Sequence, residues 1–119
     1  GLRGRRAMVC TSTACLPGMV APDGLLAALD INLWHLQHGT LGYAGFEVLR
    51  PFAGWSIHYT TPETRSDYLQ DYERRLRGIA HEEPMPMHHL DEFGPDWRLK
   101  PGIAPRTAGH RRPAGEEAK

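Results

Sequence analysis

The run Asp30-Ile-Asn-Leu-Trp-His-Leu-Gln-His-Gly-Thr-Leu-Gly-Tyr-Ala-Gly-Phe-Glu-Val-Leu-Arg-Pro51 decides the fold class of this chain. It reads as the end of an amphipathic helix, a glycine-punctuated turn and a short strand. That order is half of a βαβ crossover, the unit from which parallel sheets are built. Before it, Ala7, Met8, Val9 and Cys10 form a contiguous apolar run. Such a run predicts a short strand over Arg6 to Thr13, covered on both faces.

Between strand and helix, Ala14 to Asp23 is expected to be a loop carrying Pro17, Gly18 and Pro22. Asp23 is the expected N-cap of the helix. Leu25, Leu26, Leu29, Leu33 and Leu36 then recur at helical spacing beside Trp34. Gly39 is either the C-cap or a kink in a helix continuing toward Tyr43. The second strand is expected at Phe46 to Phe52, with Phe46, Val48 and Leu49 as inward candidates.

Downstream, Gly54 to Thr61 reads as a loop. Thr60-Thr61-Pro62-Glu63 is a helix start, with capping threonines, proline in the first turn and Glu63 at capping-box spacing from Thr60. Tyr68, Leu69, Tyr72, Leu76 and Ile79 mark one face of this helix, which is expected to end near Ala80. Glu73 and Arg77 form an i, i+4 pair on it. From Pro84 prolines become dense. Residues 84–105 are expected to be extended and pinned by Met85, Met87, Leu90, Phe93, Trp97 and Leu99. Residues 106–119 are expected to be disordered, since little apolar surface is left to offset ordering entropy. The predicted order is β-α-β-α plus tail, with residues 1–83 as a partial domain. Two strands are too few for a stable independent sheet.

Composition sets the outer bounds. The chain has 119 residues, 14 basic and 14 acidic, and 40% hydrophobic content. One small domain with a modest core fits that length. Zero net charge argues against nucleic acid as a partner, despite local basic clusters at Arg3, Arg5, Arg6 and at Arg106, Arg111, Arg112. Two cysteines make no disulfide framework. No run approaches the ~20 apolar residues of a transmembrane helix, and no signal peptide is read, so a cytoplasmic protein is the default expectation.

Metal binding is not expected. His88 and His89 are adjacent, His35 and His38 lie three apart, and neither HExxH nor CxxC occurs. Cys15 follows the first strand, where backbone amides could stabilise a thiolate, but the sequence names no base beside it and an inert cysteine is the expectation. No GxGxxG or GxxxxGK[ST] phosphate loop is present. In an open α/β sheet a flat cofactor would meet the carboxyl ends of the strands, here Thr11 to Cys15 and Phe52 to Trp55.

From about Arg5 to about Ala80 the chain resembles the carboxyl-terminal half of the flavodoxin-like NAD(P)H:quinone oxidoreductases, the family of the DT-diaphorase and bacterial drug-activity-modulator types. The residues that carry the resemblance are Arg6-Ala-Met-Val, Gly24, Leu33-Trp34, Gln37, Gly39, Gly45-Phe46, Val48-Leu49, Pro51, Arg65 and Leu69. Trp97-Arg-Leu-Lys-Pro-Gly102 also looks like the tail of bacterial members. The resemblance implies a doubly wound parallel sheet holding FAD, or FMN, without a covalent link. Hydride would pass from NAD(P)H to the flavin and then to a quinone. It further implies a homodimer with active sites at the subunit interface.

The resemblance places candidate sites residue by residue. The family's Thr-Thr-Gly-Gly flavin loop falls on Ser12, Thr13, Ala14 and Cys15, so both hydroxyls remain and both glycines are lost. The family's loop tyrosine falls at Val20 and its active-site histidine at Leu26, leaving no catalytic residue to assign. Tyr43 falls where an aromatic closes the partner's substrate pocket. Arg65 matches an arginine on the adenine side of the cofactor, with Ile57 nearby. The implied function is two-electron quinone reduction by a fragmentary chain that is inactive alone. The alternative is a degenerate, non-catalytic interaction module. A small metal or nucleic-acid binder is the weakest reading.

Overall fold

The computed structural model describes residues 1–107, 109–112 and 115. Two strands, β1 (Arg6–Ser12) and β2 (Glu47–Gly54), pair in parallel. Arg6 to Met8 sit opposite Glu47 to Leu49; after a shift, Cys10 to Ser12 sit opposite Phe52 to Gly54. The shift has a cause in the sequence. Val9 alone on β1 faces Arg50 and Pro51 on β2, and Pro51 has no N–H to give to a ladder. The strand therefore bulges at the proline.

The connection between the strands is helical but starts later than Asp23. Gly24 N donates to Ala21 O (2.9 Å) and Leu26 N to Met19 O (2.8 Å), folding residues 24–26 back on the 3-10 turn Pro17–Val20. A Cβ at Gly24 would collide with the backbone of Gly18 and Met19. Helix α1 (Leu29–Asn32) begins only after this turn, with Ala28 at the cap position. Asn32 Nδ2 donates to the carbonyls of Leu26, Ala27 and Ala28 at 2.8–3.1 Å and ties the turn before the helix to its last residue, while no side chain caps the helix N–H groups. Leu25 is consequently left exposed.

Gly39 does not end the helix. The chain runs on through a π-helical segment, His35–Gly42, and the stop is Gly45, whose φ of +100° suits a residue without a Cβ. Of the two alternatives for Gly39, helix continuing toward Tyr43 is the one observed.

Helix α2 (Pro62–Gly78) is capped by Thr61, whose side chain accepts from Thr64 N at 3.2 Å. Thr60 instead donates its hydroxyl to Ile57 O (3.0 Å). Tyr68, Tyr72 and Ile79 turn toward the sheet and are half-buried. Leu69 and Leu76, expected on the same buried face, are 69% and 40% exposed. The sheet beneath is only two strands wide and cannot cover the full apolar stripe.

Burial is also redistributed between the strands. No β1 residue is buried, whereas neighbouring Val48 and Leu49 on β2 are 1% and 0% exposed. Consecutive strand residues point to opposite faces, so β2 is the strand covered on both sides. It is also central: β1 lies on one edge, and the tail reaches the other, where Met85 N donates to Val48 O (2.8 Å). Among the described residues no strand lies on the outer edge of β1, which explains why its apolar run is only half covered.

Arg75 ties α2 to the bulge. Its guanidinium donates to Pro51 O (3.1 Å) and Arg50 O, and pairs with Glu82 at 2.6 Å. The hydrogen bond from Arg75 holds the Glu82 carboxyl below its ordinary range, outweighing the burial that opposes the charge.

The tail from Pro84 is irregular, with a 3-10 turn at Leu90–Glu92; Met87 is its buried anchor, while Leu90 and Trp97 are 46% and 71% exposed. Phe93 and Leu99 form an antiparallel bridge closed by Gly94 N to Arg98 O (2.8 Å). The last expected segment, 106–119, lies partly outside the described residues; within them, Arg106 N donates to His88 Nε2 (3.0 Å) and His110 packs on Trp34.

Two predictions follow from this packing. Leu49→Ala should cost about 2–5 kcal/mol in urea unfolding, because Leu49 is fully buried and truncating it removes core contacts and leaves a cavity. Stability should fall as pH drops through the lowered titration of Glu82, since the unfolded chain binds that proton more readily. Glu82→Gln should flatten that acid limb; an unchanged pH–stability profile would show the Arg75 contact to be incidental.

Candidate functional site

The carboxyl ends of β1 and β2 meet the loops that follow them. Thr13 N donates to Gly54 O (2.9 Å) and Ile57 N to Thr13 O (3.1 Å). Cys15 O accepts from both Ser56 N and Ser56 Oγ at 3.2 Å. Ser56 adopts a left-handed conformation, φ +50°, which allows this double contact. The Ser12–Cys15 loop is therefore bolted to the loop after β2. Within it, Thr13 Oγ1 accepts from Cys15 N at 3.0 Å, a local turn of the kind threonine favours.

Beside this junction, β1, β2 and α2 enclose an open cleft of about 460 Å³. Phe52, Ile57, Tyr68, Leu69 and Tyr72 supply apolar and aromatic walls; Ser12 and Arg65 supply polar groups at its margin. Phe52 and Tyr72 rings pack 5.1 Å apart. Gly54 lets Ile57 lie against the strand end, since a Cβ there would come within 2.9 Å of Ile57 Cδ1. Tyr68 donates its hydroxyl to Trp55 O (3.1 Å) and fixes the helix to the loop. Arg65 is held by Thr60 O at 2.6 Å. Cys10 Sγ donates to Tyr72 OH at 3.6 Å, and that contact raises the phenol above its ordinary range.

Of the residues named from the sequence, Ser12 and Arg65 share this cleft, and Thr13, Ala14 and Cys15 form the adjoining loop. Tyr43 is elsewhere. It is 63% exposed on a different hollow, with Trp34, His38, His88, Phe93 and His110, that shares no lining residue with the cleft. Leu26 is 43% exposed and engaged through its backbone. The aromatic wall of Phe52, Tyr68 and Tyr72 was not expected as a site, because tyrosines at i, i+4 carry the same pattern when they serve only packing. Gln37, named from the sequence for the resemblance but with no site role, is 1% exposed, and its Oε1 has no hydrogen-bond partner among the described residues.

Among the described residues no group of three or more His, Cys, Asp or Glu is placed to hold a metal ion, and no helix is long and apolar enough to cross a membrane.

This arrangement of parallel strands, helices and loop recurs in known proteins. A candidate quinone reductase from Klebsiella pneumoniae superposes with a TM-score of 0.83 at 28% identity, over 92% of this chain and 44% of that one. The mouse ribosyldihydronicotinamide dehydrogenase [quinone] is 34% identical over 84 residues, 71% of this chain and 36% of the relative. The guinea-pig (Cavia porcellus) NAD(P)H dehydrogenase [quinone] 1 is 32% identical over 81 residues, 68% of this chain and 30% of the relative. The chain is related to the quinone reductases. It spans about a third of the length of these two curated relatives. No family model matches it.

Thr13→Val tests the loop. It keeps the side-chain shape and removes the acceptor of Cys15 N–H, so stability should fall by about 1 kcal/mol. Hydrogen exchange should show Cys15 deprotected while the β1–β2 amides stay protected.

Proposed function

We propose that this chain is the carboxyl-terminal part of a flavodoxin-like, flavin-dependent NAD(P)H:quinone oxidoreductase, and that it is inactive alone. The observation that carries the reading is the bolted junction of two parallel strand ends beside an aromatic cleft, in a fold shared with a candidate quinone reductase. In this reading the enzyme is a cytoplasmic homodimer, residues 1–83 are its partial domain, FAD or FMN carries the hydride, and NAD(P)H and a quinone are its substrates.

The flavin loop itself does not fit a flavin held by backbone amides. The Thr13 amide is spent on Gly54 O and the Cys15 amide on Thr13 Oγ1. Ala14 adds a Cβ where a flat ring would need close backbone approach. No catalytic step is therefore derived through this loop. The same observation favours the second reading, a non-catalytic interaction module that keeps the family scaffold. What the cleft offers is a place for an aromatic ring edge: Tyr68, Tyr72 and Phe52 as walls, Arg65 as a cation at the rim.

The test is direct. The chain, purified and incubated with FAD or FMN, should remain colourless after gel filtration and should not couple NADH or NADPH oxidation to quinone reduction. A yellow protein with quinone-dependent NAD(P)H oxidation would overturn the claim of inactivity. If the chain joined to its upstream coding sequence also fails to retain flavin, the interaction-module reading replaces the enzyme reading.

A further inference from the structure

Three histidines converge away from the cleft. His38, on the π-helical segment, stacks on Trp34 with ring centroids 3.7 Å apart and planes at 16°. His110 meets the same pair edge-on, 5.0 Å from Trp34 and 5.4 Å from His38. His88 lies 4.9 Å from His110, also edge-on. Gly109 lies so close over the Trp34 ring that any Cβ there would collide with it. The segment carrying Gly109 and His110 therefore fits this shelf only with glycine at that position.

The hydrogen bonding requires neutral imidazole. His88 Nε2 accepts the Arg106 N–H at 3.0 Å, so that nitrogen must present a lone pair. Its side chain is fully buried, and Nδ1 lies 3.3 Å from Glu92 Oε2 without the alignment of a hydrogen bond. Glu92 is already engaged: it accepts from His89 N (2.8 Å) and pairs with the Arg106 guanidinium (2.5 Å). Thr107 Oγ1 lies 3.2 Å from His110 Nδ1. Other charges nearby are Asp30, Arg50 and Arg106 on one side of His38, and Arg98, Arg111 and Arg112 around the hollow that His110 borders. The surroundings of the three rings thus contain more cations than anions.

We propose that Arg106, Thr107, Gly109 and His110 form a pH-sensitive strap, docked on the Trp34–His38 shelf while the three histidines are neutral and released when they take protons. Protonating His88 Nε2 removes the acceptor that seats Arg106. Protonating His38 or His110 places a cation within about 5 Å of another imidazole, in a half-buried setting where Glu92 is already paired with Arg106. His110 forms one wall of the hollow that holds Tyr43, so release opens that face. The strap does not depend on the quinone-reductase reading.

The direction of linkage agrees. Burial first, then His110 and His88, lower His38 to about 4, and burial and then His88 lower His110. A group whose titration is depressed by docking weakens docking as pH falls below its free value, with the loss continuing until the docked group itself protonates. Docking should therefore be intact above neutrality and weaken through the range between the free imidazole value and about 4.

Amide exchange on the whole chain tests this. Corrected for intrinsic rates, protection of the Arg106 amide relative to the Glu47 and Thr13 amides should fall on the order of tenfold between about pH 7.5 and about pH 5. His38→Phe keeps a flat ring on Trp34 and removes one proton acceptor, so it should shrink that fall. Arg106 protection that tracks Glu47 and Thr13 across the range, or an undiminished fall in His38→Phe, overturns the strap. Ring-proton NMR of the unmodified chain provides a second reading: His38 titrating well below the free value supports the strap, and titration at the ordinary imidazole value overturns it.

Discussion

The parallel pairing of β1 and β2 is the constraint on which everything else depends. Parallel neighbours cannot be joined by a tight turn, so the chain must leave the sheet and return through a crossover. The helical stretch from Leu29 to Ala44 is that crossover, and Gly45 is the residue that lets it turn back into β2. Because both strands run the same way, their carboxyl ends lie together. This brings the Thr13–Cys15 loop against Gly54, Ser56 and Ile57. The junction and the cleft beside it are consequences of strand direction before they are consequences of any particular side chain.

A two-stranded sheet also explains where the core lies and how small it is. Among the described residues only β2 has neighbours on both edges, and the fully buried hydrophobic residues Val48 and Leu49 both belong to it. Helix α2 then has more apolar surface than the sheet can cover, and Leu69 and Leu76 stay exposed. The bulge at Pro51 adds a second demand, since it leaves carbonyls turned out of the ladder. Arg75 meets that demand with a cation that Glu82 holds in place. The ion pair thus does more than decorate a helix surface: it joins helix, bulge and the start of the tail.

Kinship and chemistry separate in this molecule. The residues on which the resemblance to quinone reductases is read, such as Leu33, Trp34, Gly45 and Phe46, belong to the crossover and its exit. The loop that would meet a flavin has its Thr13 and Cys15 amides turned inward. A scaffold can persist while the loops at its strand ends change, because scaffold residues answer to packing and loop residues answer to a ligand.

The order β-α-β-α, the neutral charge, the Thr-Pro start of α2 and the scaffold resemblance were legible in the residues themselves, because they rest on local periodicity, caps and composition. Several features were not. Asp23 carries the signature of an N-cap, but Gly24 packs back on Gly18 and Met19, and the helix waits for Leu29. The apolar run of β1 reads as doubly covered, yet coverage depends on what lies at the sheet edge, which no local pattern encodes. Ser12 and Arg65 could be named separately, but their shared cleft with Tyr68 and Tyr72 required α2 to be laid across the strands. His38, His88 and His110 lie up to seventy-two positions apart in the chain. Their spacing carries no signal, and only the folding of the tail over the crossover brings three imidazoles and an indole together.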